Sequence, residues 1–142
     1  MSDAAFGASS SGQFDTSAAD SQQRGLRAGE IARLITGYRY TFRDEEQLHD
    51  ALAEVFAACG VQAEREVRLS SHDRIDFLIG RVGLEVKTDG ATTAVARQLQ
   101  RYARHDRIDT LVLVTTVARH RTLPPTIGGK PLIVASLLDS AL

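Results

Sequence analysis

Cysteine and tryptophan are nearly missing from this chain, which holds one Cys and no Trp in 142 residues. The single Cys59 excludes an internal disulfide and most metal sites built from cysteines. Because Cys59 ends the apolar stripe of a predicted helix, we expect a buried structural thiol. An excess of one charge is missing too, since the formal net charge is −1. Any binding of nucleic acid must therefore depend on a local basic patch.

Long apolar runs are also missing. No run approaches the ~20 residues that span a bilayer, and the N-terminus lacks the pattern of a secretory signal. We therefore expect a cytoplasmic protein with no membrane partner. Residues 1–25 are rich in Ser, Ala, Gly and Asp, with too few apolar residues to repay ordering. We predict a disordered tail over 1–25 and a single folded domain over 26–142.

The rest of the chain alternates helical and strand patterns, and Asp44 with Gln47 resembles a capping box at one helix start. The predicted helices are Leu26–Thr36, Asp44–Cys59 and Ala91–Arg104. The predicted strands are Val61–Leu69, the two arms of a hairpin in Asp73–Lys87, Leu111–Val117 and Leu132–Ala135, with a loop over Ala118–Lys130. This order predicts an α/β fold, in which helices flank a mixed sheet of about five strands. The first three strands form an antiparallel meander, and the helix after them permits a right-handed parallel crossover.

The hairpin reads DRIDFLIGRVGLEVK, and Gly80-Arg81 is typical of a two-residue type II′ turn. This turn places Asp76 opposite Glu85, with Cβ atoms roughly 4.5–5.5 Å apart. Side chains alternate between faces with period two. The predicted apolar face holds Ile75, Phe77, Ile79, Val82, Leu84 and Val86. The other face holds Asp76, Leu78, Gly83, Glu85 and Lys87.

Two opposed carboxylates repel each other, and a divalent cation together with Lys87 would offset that repulsion. Mg²⁺ binds oxygen ligands such as carboxylates, and the Val86 carbonyl is a further candidate ligand. Such a metal lowers the pKa of a bound water and stabilises charge on a phosphate. We expect Lys87 to act by electrostatics and positioning, because the two carboxylates oppose the depressed pKa that a base needs. The alternative is that Asp76, Glu85 and Lys87 are a solvated polar face of an edge hairpin.

The helix after the hairpin carries a second pattern. Gln98 and Tyr102 lie one turn apart, beside an apolar stripe. Arg97, Arg101 and Arg104 follow another side, where they would either track a phosphate backbone or simply face solvent. The histidines lack metal-ligand spacing and are expected at the surface: His72, His105 and His120.

These residues together resemble the PD-(D/E)XK nuclease superfamily, which has the restriction-endonuclease-like fold. Asp76 matches its first acid, Glu85-Val86-Lys87 its E-x-K, and 98–102 (QLQRY) the Q-x-x-x-Y motif of RecB-like and phage exonuclease-type members. The resemblance covers roughly residues 43–135. It implies a three-layer core and hydrolysis of DNA phosphodiester bonds that depends on Mg²⁺ or Mn²⁺. The departure is Ile75, which stands where many members have proline.

The resemblance also implies roles for single residues. Asp76 and Glu85 would bind the metal, Lys87 would help to activate water, and Gln98 and Tyr102 would order the site or contact the substrate. Arg97 and Arg101 are further candidates for substrate binding.

Members of the superfamily often add an acid or histidine from the first core helix. Glu45 and His49 are candidates for that group, and the pattern does not choose between them. Glu66 is another candidate, unless it forms a surface salt bridge.

The expected partners are DNA and, if the core domain does not act alone, a homodimer mate or a larger DNA-processing complex. The competing function is a catalytically silent member of the same fold that binds DNA or protein.

Overall fold

The computed structural model describes residues 28–138 as a mixed sheet with helices on both faces. The predicted tail over 1–25 and the predicted start of the first helix lie outside these residues. The helices are α1 (28–36), α2 (Glu45–Ala58) and α3 (Thr92–Ala103), and a 3-10 helix covers Ala118–Thr122. The strands are β1 (Glu64–Arg68), β2 (Arg74–Ile79), β3 (Val82–Lys87), β4 (Thr110–Thr115), β5 (Thr126–Ile127) and β6 (Lys130–Ser136).

Both ends of α2 follow local rules. The Asp44 carboxylate accepts a hydrogen bond from the Gln47 N–H at 2.8 Å, as a capping box predicts. The Gln47 side chain reaches the N–H of Arg43, one residue before the expected partner. At the other end Gly60 has a φ of 70°, and the N–H of Val61 bonds back to the carbonyl of Phe56. This Schellman turn keeps Val61 out of the sheet, so β1 is shorter than predicted.

Cys59 corrects an expectation, because it is exposed and not buried. It is the C-cap of α2, with a φ of −95° and a ψ of 6°, so it has left the helical geometry that defines the apolar stripe. Its Sγ lies 3.4 Å from the Tyr38 hydroxyl.

The sheet has the strand order β1-β2-β3-β4-β6-β5. β1, β2 and β3 form the predicted antiparallel meander, and β4 lies parallel to both β3 and β6. β5 falls in a segment predicted as loop. Gly128 and Gly129 both have positive φ, 57° and 80°, which permits a two-residue hairpin turn into β6.

Two apolar clusters hold the layers together. One joins α1 and α2 to one face of the sheet, and its sheet members include Phe77 and Leu84. We call it the α2-side cluster. The other joins α3 to the opposite face, through Leu78, Leu111 and Leu113 among others. We call it the α3-side cluster. No helix within residues 28–138 is both long enough and apolar enough to cross a membrane.

Candidate active site

The hairpin turn and its first three pairs are as predicted. Gly80 has a φ of 60°, as the first position of a type II′ turn requires. The paired residues are Ile79 with Val82, Leu78 with Gly83, and Phe77 with Leu84. The strands therefore bring the segment around Asp76 next to the segment around Glu85.

The ladder then changes at Asp76. Continued register would pair Ile75 with Val86 through their backbones. Instead the Val86 N–H donates to Asp76 Oδ2 at 2.8 Å, so a side chain has taken the position of a strand partner. The prediction that Ile75 shares a face with Phe77 is wrong. Ile75 packs in the α3-side cluster and Phe77 in the α2-side cluster, because the alternation of faces is interrupted at Asp76.

Glu85 is the most deeply buried acid at this break, with only 3% of its surface exposed. Its Oε1 accepts a hydrogen bond from the Asp76 N–H at 3.3 Å. Its Oε2 lies 3.5 Å from Lys87 Nζ. Burial raises the pKa of Glu85 to about 8, the charge of Asp76 contributes in the same direction, and Lys87 acts against both. Burial and Asp76 therefore outweigh Lys87, so the neutral form of Glu85 is favoured.

Tyr102 and Gln98 extend this network from α3. Gln98 Nε2 donates to Tyr102 Oη at 2.8 Å. The tyrosine proton is shared between the Arg74 carbonyl at 2.9 Å and Glu85 Oε2 at 3.3 Å. Burial and then the charge of Glu85 raise the pKa of Tyr102, so the phenol stays a neutral donor. Tyr102 is buried, and its contacts favour the ordering role over contact with a substrate.

Both candidates on α2 lie beside the break. His49 Nε2 is 3.5 Å from Asp76 Oδ2 and 4.0 Å from Glu45 Oε2. His49 is 8% exposed, and its Nε2 is a buried polar atom without a hydrogen-bond partner among the described residues. Glu45 uses its other oxygen to accept from the Thr88 N–H at 3.2 Å. A buried side-chain nitrogen without a hydrogen-bond partner is uncommon, and it indicates a position where a ligand or a water would bind.

The side chains at this break decide whether the site could hold a divalent metal. No cluster of three or more His, Cys, Asp or Glu placed to hold a metal occurs in residues 28–138. The carboxylates of Asp76 and Glu85 nevertheless suit a hard cation that keeps several waters. The carbonyl of Lys87 accepts a hydrogen bond from the Thr116 N–H, on the β4 side of β3. Successive carbonyls of a strand point to opposite neighbours, so the carbonyl of Val86 points towards β2 and Asp76. The residues present therefore fit Mg²⁺ or Mn²⁺ with an incomplete protein shell.

The other candidate residues are more peripheral. Arg97 is exposed on α3. Arg101 is half exposed, but its Nε lies 3.2 Å from the buried Asp73 carboxylate, so it is engaged within the fold. Glu66 is exposed on the edge strand β1, and no ion pair to it is found among the described residues.

Two of the three histidines expected at the surface are placed differently. His72 is exposed, but His120 is fully buried, and His105 Nε2 lies 3.1 Å from Asp73 Oδ2. His120 Nε2 is 2.9 Å from the Gly90 carbonyl and Nδ1 is 2.6 Å from Thr115 Oγ1. The carbonyl can only accept, so Nε2 carries a proton. Sequence reasoning missed this residue because its partners lie 30 and 5 positions away.

Compared with protein-family models, curated proteins and solved structures, the chain matches none of them. A cavity of about 610 Å³ lies at the far end of the hairpin, beside Gly80, Leu34 and Cys59. None of the predicted site residues lines it. The residues around Asp76 and Glu85 therefore remain the candidate site on chemical grounds.

Proposed function

We propose that this protein is a divalent-metal-dependent nuclease that hydrolyses DNA phosphodiester bonds, as a member of the PD-(D/E)XK superfamily. One observation carries the proposal. Asp76, Glu85 and Lys87 lie together at a break in the sheet, and the Gln98–Tyr102 pair is hydrogen-bonded to the same Glu85. A solvated hairpin face does not require a buried glutamate with a raised pKa, because exposed carboxylates keep their water.

Each residue of the candidate site would have its own role in the proposed reaction. Asp76, Glu85 and the Val86 carbonyl would hold Mg²⁺ or Mn²⁺. The bound cation supplies a water of lowered pKa and stabilises charge on the scissile phosphate. Lys87 places an ammonium beside Glu85, where it would stabilise developing negative charge and orient a nucleophilic water. Tyr102 and Gln98 hold the Glu85 carboxylate in place.

His49 and Glu45 belong to the same site. The Nε2 of His49 has no hydrogen-bond partner among the described residues and faces Asp76 and Glu45, so it would serve as a further ligand of the cation or as a hydrogen-bond partner for water. DNA would approach over the exposed arginines of α3, of which Arg97 is the candidate for phosphate contact. Arg101 contributes less, because Asp73 already neutralises it.

We predict that the protein cleaves plasmid, linear or branched DNA in the presence of Mg²⁺ or Mn²⁺. Lys87→Ala and Asp76→Ala should each lower the rate by at least about 100-fold, the scale of losing one group that stabilises the transition state. Gel assays over a substrate panel measure the rate, and circular dichroism checks the fold. Arg121→Ala and Glu54→Ala are matched controls, since both side chains are exposed, and they should keep full activity.

The second candidate is a catalytically silent binding protein of the same fold. The missing cluster of three ligands among the described residues favours it. A calorimetric titration of Mn²⁺ into wild type and Glu85→Gln separates the two. The nuclease requires binding that Glu85→Gln weakens. A wild type that binds no Mn²⁺ and cleaves no substrate would exclude the nuclease and leave the silent protein as the remaining candidate.

A further inference from the structure

In both β1 and β2, the face of the sheet to which alternate side chains point changes at the same position. Arg65 packs over the Phe77 ring, 5.9 Å from its centroid, and its guanidinium pairs with Asp50 of α2. Two residues further along, Val67 packs against the opposite, α3-side cluster. Residues two apart in a regular strand share a face. The same change separates Phe77 from Ile75 in β2. The β1–β2 ribbon is therefore twisted, so that the pair Arg65–Phe77 and the pair Val67–Ile75 face opposite sides of the sheet.

Glu66 lies at the centre of this change. The ladder pairs Arg65 with Phe77 and Val67 with Ile75, which leaves Glu66 opposite Asp76. Glu66 has a φ of 53°, and it is the one non-glycine residue with positive φ in residues 28–138. A residue with a Cβ disfavours this left-handed conformation, and it persists only where the surroundings enforce it. Such a residue in mid-strand twists and redirects the strand locally.

Gly83 of β3 provides the space that the Ile75 side chain needs on the α3 side of the sheet. A Cβ on Gly83 would lie 2.7 Å from Ile75 Cδ1 and 3.0 Å from Ile108 Cδ1. The Ile75 side chain therefore occupies the space above Gly83, where any larger residue would exclude it. The turned ribbon frees Asp76 from strand pairing, and its carboxylate takes the Val86 N–H.

We propose that Glu66 is a positioning residue that acts through its backbone. Its left-handed conformation turns the β1–β2 ribbon and thereby places the Asp76 carboxylate between β2 and β3, beside Glu85. The carboxylate of Glu66 has no part in this. Only the consequence for metal binding rests on the proposed nuclease function, and the placement of Asp76 does not.

The test compares Glu66→Gly and Glu66→Asn with Glu66→Val. Glycine and asparagine tolerate the left-handed region, whereas a β-branched residue does not. The readout is the Val86 amide in metal-free protein, through its proton chemical shift and its hydrogen-exchange rate. We expect wild-type values in the first two variants. In Glu66→Val the shift should move towards that of Asp76→Ala, and exchange should be about tenfold faster.

Glu64→Val is the matched control, because Glu64 is also exposed in β1 and its φ is not positive. It should leave the Val86 amide unchanged. A Glu66→Val protein with a wild-type Val86 amide overturns the proposal, and so does a Glu66→Gly protein that has lost the bond. If Glu66→Val does not fold, Glu66→Ala takes its place, and faster exchange than in Glu66→Gly is the required result.

A titration of Mn²⁺ is the second readout. Glu66→Gly should bind as wild type does, and Glu66→Val at least tenfold more weakly. A Glu66→Gly protein with a normal Val86 amide but lost Mn²⁺ affinity would make the carboxylate a ligand and overturn the backbone role. If wild type binds no Mn²⁺, the nuclease proposal fails, and the Val86 amide still decides the role of Glu66.

Discussion

Glu85 is the central residue of the candidate site. It is almost fully buried, it lies beside Asp76, and its Oε2 is 3.5 Å from Lys87 Nζ. Burial raises its pKa from the ordinary 4.5 to about 8, and Asp76 contributes in the same direction. The folded protein therefore prefers a neutral Glu85, and any cation that enters the site favours the charged form instead.

The stability of metal-free protein should fall as pH rises between about 4.5 and about 8. In this window the folded state keeps a proton on Glu85 that the unfolded chain releases, so ∂ΔG of unfolding/∂pH is negative. Glu85→Gln removes that titration and should flatten the curve relative to wild type. Denaturant unfolding across the window measures both proteins, and parallel curves would contradict the raised pKa.

Tyr102 and Gln98 should behave as one unit. Tyr102→Phe leaves the Arg74 carbonyl and the Gln98 amide without their partner, at a cost of about 1–3 kcal/mol. Gln98→Ala should cost less in the Tyr102→Phe background than in wild type, because its partner is already gone. A double-mutant cycle in urea should give a coupling of about 0.5–1.5 kcal/mol. Additive effects would show that the contact carries no energy.

At the scale of the elements, β3 supplies three different things to the site. Glu85 supplies a buried carboxyl group, Lys87 supplies an ammonium beside it, and Gly83 supplies space for Ile75. β2 supplies Asp76, which leaves the ladder where Ile75 crosses to the other cluster. The site is therefore built on an interruption of strand pairing, not on the regular hairpin that alternation predicts.

Gly83→Ala should lower the free energy of unfolding by about 1–3 kcal/mol, because the new methyl group overlaps Ile75 Cδ1. Ile75→Val removes that Cδ1, so adding it should recover part of the loss. Thermal or urea unfolding of the single and double variants measures this. Gly29→Ala is the control, since nothing lies within 4 Å of its added Cβ in α1, and it should be neutral or stabilising. An equal loss with and without Ile75→Val would refute the overlap.

For the whole molecule, a net charge of −1 means that the proposed binding of DNA would depend on the local arrangement of basic side chains. Arg97 and Arg101 both belong to α3, and of the two only Arg101 has an ion-pair partner among the described residues. The hydrogen bond from His105 and the nearby Arg101 hold the pKa of Asp73 below its usual range. The ion pair of Arg101 with the buried Asp73 therefore contributes to the stability of the fold.

Arg97→Ala should reduce the salt dependence of DNA binding, changing the slope of log K against log [salt] by about 1. Its free energy of unfolding should match wild type. Arg101→Ala should destabilise the fold and change the salt slope less. Anisotropy titrations over a salt series, in a Lys87→Ala background that prevents cleavage, measure both slopes. A larger slope change for Arg101 than for Arg97 would reverse this assignment.

Much of the site could be predicted from local pattern, and the exceptions share a cause. The turn at Gly80, the first three pairs of the hairpin and the contact of Gln98 with Tyr102 all follow from local spacing along a hairpin or a helix. The burial of His120 and the face of Ile75 depend on partners brought by distant elements. Those partners cannot be read from the pattern around either residue.

The sequence by itself determined the α/β order of the main elements and the first three pairs of the hairpin, because these depend on period and turn chemistry. It also made Asp76, Glu85 and Lys87 the candidates for the site. Tertiary structure alone decided how those groups meet. The left-handed Glu66 of β1 acts together with the space above Gly83 and the Val86 N–H of β3, and both strands flank Asp76 of β2. Burial of Glu85 under α3 then sets its charge, since desolvation depends on everything packed around a carboxylate and not on its neighbours in the chain.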